Sequence, residues 1–148
     1  MNLIKQFPDI GNEDVEKFEN KYKISLPQEY KSFLLKTNGG EPSIRKFKTR
    51  DGKITSHLML LFPLFESVFP NLANHYATYN IGNKIPKSLL PIGEDPIKNL
   101  ICISISGDDV GSIYYWSMDE EDDNYKPSFK RIKFVSESYD KFINNLIE

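Results

Sequence analysis

The C-terminal segment constrains the fold most. Tyr139, Phe142, Ile143, Leu146 and Ile147 recur at i, i+3, i+4, i+7 and i+8, which winds them into one apolar stripe when the segment is helical. Ser136 offers a capping hydroxyl ahead of it. Such a stripe needs an apolar platform, and the middle of the chain supplies one. Leu58 to Phe65 is wholly apolar and suits a strand buried on both faces, with Pro63 at a bulge or at the strand's edge. Leu89 to Ile92 is short and apolar. Leu100 to Ile105 alternates, with Ile101, Ile103 and Ile105 on one face. Ile113 to Met118 is rich in β-favouring aromatics, and Phe129 to Val135 is a further strand candidate. Within Ile113 to Met118, the spacing favours a core place for Trp116 beside Tyr114 and Met118 over a partner-facing anchor, with Tyr115 facing the opposite way.

The N-terminal part reads as helical. Asn12 can cap a helix whose first turn holds Glu13 and Asp14, where the helix dipole favours acids. Val15, Phe18 and Tyr22 follow at helical spacing. Pro27 suits the first turn of a second helix, lined by Tyr30, Phe33, Leu34 and Thr37. Asn38-Gly39-Gly40 stops it, because glycine tolerates the left-handed cap. Asp51-Gly52 marks a turn between two extended pieces, and Asn71 to Tyr79 is a short helix candidate.

Helices at the ends and strands in the middle read as α+β with a largely antiparallel sheet. The 148 residues fit one domain spanning 1–148. A net charge of -2 gives no field favouring nucleic acid or an anionic membrane. The lone Cys102 lies in an apolar run and reads as a small hydrophobe. The first residues lack a long apolar stretch, and no apolar run is long enough to span a bilayer, so a cytoplasmic protein is expected.

No residue pattern points to catalysis. His57 and His75 have no second ligand at metal spacing. Ser104 and Ser106 lack the Gly-x-Ser-x-Gly setting of a nucleophile. Gly107 to Gly111 lacks the Lys-Ser/Thr of a phosphate loop, and Asp119 to Asp123 lacks the spacing of a calcium loop. No catalytic, cofactor-binding or metal-binding residue is expected. The acidic run Asp119, Glu120, Glu121, Asp122 and Asp123 repels itself out of any core. It is either a solvated loop or a partner-facing patch, extended by Glu94 and Asp95 if the sheet brings those loops together. Carboxylates in such a patch would steer a basic protein partner. Arg45, Lys46, Lys48, Arg50 and Lys53 form a basic counterpart, and Lys126, Lys130, Arg131 and Lys133 form another.

Val15-Glu16-Lys17-Phe18-Glu19, Leu26-Pro27-Gln28-Glu29-Tyr30 with Phe33-Leu34-Leu35, and Asn38-Gly39-Gly40-Glu41-Pro42 resemble, in order, the opening of the SUKH superfamily in its Smi/Knr branch. Leu90-Pro91-Ile92-Gly93-Glu94-Asp95, Asn99 to Ser104, Ile113-Tyr114-Tyr115-Trp116 and Ser138 to Ile143 resemble its later strands and closing helix. Collinear order over nearly the whole chain carries the resemblance. Where the family often has Asp directly after the Trp, this chain has Ser117. The resemblance implies an α+β fold with a mixed, mostly antiparallel sheet flanked by N-terminal helices and a C-terminal helix. It also implies function by binding another protein: a cognate toxin, often a nuclease, for an immunity protein, or a signalling or cell-wall partner for a regulatory scaffold. It brings no catalytic residues with it.

Overall fold

The computed structural model describes residues 3–5, 7–64, 69–117 and 132–148. Strand β1 (Leu3–Lys5) pairs antiparallel with β2 (Glu41–Pro42), and α1 (Asn12–Tyr22) and α2 (Gln28–Thr37) come between them in the chain. The cap of α1 falls on Gly11, one residue ahead of Asn12, and the Gly11 N–H donates to the Asp14 carboxylate at 2.9 Å. Pro27 is likewise the residue before α2, not its first helical residue. The stop after α2 lies where the sequence puts it, with Asn38 at φ 36 and Gly39 at φ 81. Gly39 is required for space as well, since an added Cβ would stand 2.6 Å from the Leu61 carbonyl oxygen. That approach lets Gly40 and Leu61 exchange backbone hydrogen bonds at 2.9 and 2.8 Å.

The expected α+β architecture is present. A five-stranded sheet runs β5 (Leu60–Leu61), β6 (Leu89–Glu94), β7 (Leu100–Ser104), β8 (Ile113–Trp116) and β9 (Ile132–Ser136), each neighbouring pair antiparallel. A separate hairpin joins β3 (Lys46–Lys48) to β4 (Thr55–His57), with Gly52 at φ 74 in its turn. Of the described residues in the apolar run from Leu58, only Leu60 and Leu61 form a strand, although Leu58, Leu61 and Phe62 are fully buried. Pro63 has no N–H to give a ladder. The Leu64 N–H goes instead to the Asn38 side-chain oxygen at 2.8 Å, which satisfies buried backbone without a strand.

Both faces of the sheet are covered. Helix α3 (Leu72–His75) passes into a π-helical turn, Tyr76–Ile81, whose Tyr79 meets Trp116 at 5.6 Å. On the other face Phe47 of β3 packs on Tyr115 at 5.8 Å and on Phe142 at 5.5 Å. Every residue of β7 is therefore buried, and one-sided alternation at Ile101, Ile103 and Ile105 gives way to two-sided burial. Tyr115 does face away from Trp116, but both rings are core. Met118 and Phe129 lie outside the described residues.

Helix α4 (Tyr139–Asn144) is capped by Ser138, whose hydroxyl accepts from the Lys141 N–H at 3.2 Å. Ser136, the expected cap, is the last residue of β9 and paired across to Ile113. Tyr139, Phe142 and Leu146 are buried as their spacing requires, with Tyr139 5.5 Å from Tyr30 of α2. Ile147 is exposed instead. The helix has ended by then, and the Ile147 backbone bridges to Lys46, so helical register no longer aims its side chain inward.

Candidate interaction surface

Antiparallel order sends the β6–β7 turn and the β8–β9 connection out of the same end of the sheet. The terminal row, in register, is Leu60, Glu94, Leu100, Trp116 and Ile132. The Glu94–Asp95 turn and the two strand ends that the acidic connection joins thus lie at one end of the sheet. Asp119, Glu120, Glu121, Asp122 and Asp123 belong to the connection between Trp116 and Ile132 and lie outside the described residues.

Glu94 and Asp95 do not present free carboxylates at that end, which corrects the reading of both as partner-facing. Asp95 is 2% exposed. Its Oδ1 accepts from the Ile97 and Asn99 N–H groups at 3.0 and 2.9 Å, and its Oδ2 from the Ser56 and Tyr115 hydroxyls. An Asp that opens a turn bonds the backbone two residues on, and Asp95-Pro96 is a turn signal in the sequence. The Asn99 side chain completes the cluster by donating to the Tyr115 hydroxyl at 2.7 Å. Burial first, and then the Asp95 carboxylate, raise the Tyr115 hydroxyl to about 12. Glu94 is 7% exposed, and its Oε1 takes Lys98 Nζ at 2.8 Å.

What this end does offer is apolar. Ile97, at the tip of the turn, is 69% exposed, and Phe69 is 75% exposed. Phe69 begins a file of rings: 6.5 Å to His75, 5.7 Å from His75 to Tyr79, and 5.6 Å from Tyr79 to Trp116. Phe62 backs His75 at 4.0 Å. Burial lowers the proton affinity of His75, outweighing its contact with the Asn71 carbonyl and the field of Glu94. The file grades from an open ring to a core ring, and amphipathic aromatics in this position are the usual anchors of protein interfaces. Sequence reading missed Phe69 and Ile97. Ile97 carried one signal: an aliphatic residue between Pro96 and Lys98 in a tight turn has no core to enter.

Each basic stretch has one member paired with an acid. Arg50 pairs with Glu137 at 2.8 Å and Lys133 with Asp51 at 2.9 Å. Ser104, set aside as a nucleophile, is fully buried and bonds the Asp109 carboxylate at 2.7 Å. Burial alone would raise the Asp109 carboxyl, but the Tyr114 and Ser104 hydroxyls bonded to it hold it lower.

The model of the SMI1/KNR4 family (SUKH-1) matches residues 10–145. The chain belongs to that family. Among curated proteins, none matches it. SUKH-1 proteins are known for protein–protein interaction and are generally non-catalytic. Membership is consistent with either an immunity protein or a Knr4-like regulator. Among its described residues, this SUKH-1 chain has no group of three or more His, Cys, Asp or Glu placed to hold a metal ion, and no helix long and apolar enough to cross a membrane.

Proposed function

We propose that this SUKH-1 chain is a cytoplasmic immunity protein that neutralises a cognate toxin by direct binding, with the end of the sheet around the β8–β9 connection as its contact face. Family membership over residues 10–145 is the observation that carries the binding role. The shared end of the sheet supports the choice of face. There Phe69 and Ile97 supply exposed apolar anchors, and the connection from Trp116 to Ile132 carries the acidic run. A nuclease toxin holds phosphates with basic side chains. Carboxylates at Asp119 to Asp123 would speed encounter with that surface and compete with nucleic acid for it. The buried Cys102 needs no oxidising compartment to keep its place.

Co-expression with a toxin-like product encoded beside it, followed by pull-down, tests the reading. Rescue of growth and an equimolar complex whose association slows with salt are expected. Charge reversal across Asp119 to Asp123 should slow association and leave the melting temperature unchanged. Complex formation without rescue would favour the regulator role instead.

A further inference from the structure

At the opposite end of β9 from Ile132 the structure holds a second feature, a cleft of about 250 Å³ between β3, β9 and α4. Its floor is apolar, built from Phe47, Val135 and Phe142. Its rim is cationic. Lys48 is exposed and makes no ion pair among the described residues. Arg50 lies over the Phe134 ring at 4.9 Å and is paired with Glu137, which leaves Lys48 as the lining cation without an ion pair among the described residues. Ser136 also lines the cleft. It is 4% exposed, and its hydroxyl is buried with no hydrogen-bond partner among the described residues. A buried hydroxyl without a partner is costly to keep, and a ligand oxygen within its reach would relieve that cost. Asn145 adds an exposed amide to the lining.

We propose that this cleft binds a carboxylate joined to an apolar group, with the carboxylate between Lys48 and the Ser136 hydroxyl and the apolar part on Phe47 and Phe142. A single unpaired lysine matches a monoanion better than a phosphate dianion, and the aromatic floor rewards a ligand with carbon behind its charge. The source is either a free organic acid or the C-terminal carboxylate of a polypeptide ending in an apolar residue. The site is separate from the face proposed above.

Isothermal titration of the intact chain with hexanoate and with hexanamide tests the chemistry. A short peptide ending in leucine, with its terminus free or amidated, tests the source. Saturable binding of the acids is expected, with the neutral partners weaker by about tenfold or more. Lys48→Gln should weaken binding by about tenfold. Ser136→Ala should weaken it several-fold while leaving the melting temperature equal or higher, because it removes an unpaired buried hydroxyl. A free-terminus peptide that outbinds hexanoate assigns the site to polypeptide ends, and the reverse assigns it to small acids. Equal binding of hexanoate and hexanamide, an unchanged Lys48→Gln affinity, or no saturation by about 10 mM for either acid would overturn the proposal.

Discussion

Replacing Asp95 by Ala removes one carboxylate shared by four donors, the Ile97 and Asn99 N–H groups and the Ser56 and Tyr115 hydroxyls. Ser56 is only half-buried and can turn to water. The Tyr115 hydroxyl and the Asn99 N–H are enclosed, and each loses its acceptor. Leaving a buried donor unpaired costs about 1–3 kcal/mol, more where the acceptor was charged. Two such donors, together with the loosened turn, place the loss at roughly 3–5 kcal/mol. Asp95→Asn keeps one oxygen for the two N–H groups and should cost less, about 1–2 kcal/mol. Urea unfolding gives both values directly, provided the slope against denaturant is unchanged. A double-mutant cycle with Tyr115→Phe should return a coupling of about 1–2 kcal/mol. If Asp95→Ala costs less than about 1 kcal/mol, the carboxylate is not the buried keystone described. A free, partner-facing Asp95 would give that result together with a loss of partner affinity.

Phe142→Ala should cost about 3–5 kcal/mol, because the ring is 2% exposed and wedged against Phe47; Phe33→Ala should cost clearly less, since Phe33 is only partly buried, and equal losses in thermal melts would contradict that ranking. Gly39→Ala forces a Cβ to within 2.6 Å of the Leu61 carbonyl at a φ of 81 and should destabilise by about 2 kcal/mol or more; a neutral midpoint in urea would refute the close approach. His75 is held below its ordinary value of 6.5 by burial. The unfolded chain therefore takes up a proton before the folded one, and stability should fall as pH drops below about 6.5. His75→Phe should flatten that slope between about pH 7.5 and pH 5, and an unchanged slope would assign it to other groups.

The candidate surface was only partly legible in the sequence. Five like charges in a row said that Asp119 to Asp123 could not be core, but only the strand register put the ends of their connection beside the Asp95 turn. Whether Glu94 and Asp95 point out could not be read, because an acid before proline is equally at home as a turn-holding acceptor and as an exposed charge. The hydroxyl of Tyr115, far along the chain, decided it. The ring file from Phe69 to Trp116 was hidden for the same reason: its members come from a loop, a helix, a π-helical turn and a strand.

Local chemistry by itself determined where the chain turns and what kind of element each segment becomes. Asn38-Gly39-Gly40 ends α2 because only such residues sit easily at positive φ, and the 3.6-residue spacing of Tyr139 and Phe142 commits α4 to an apolar platform. Tertiary structure decided how far each element runs and which faces are buried. Leu58 to Leu64 is as apolar as a strand, yet Asn38 takes the backbone N–H that a neighbouring strand would have used. Strand β7 alternates like a half-exposed strand, yet the π-helical turn and the β3–α4 layer close over both its sides. Propensity acts within a few residues, whereas hydrogen-bond satisfaction and burial are settled by partners distant in sequence.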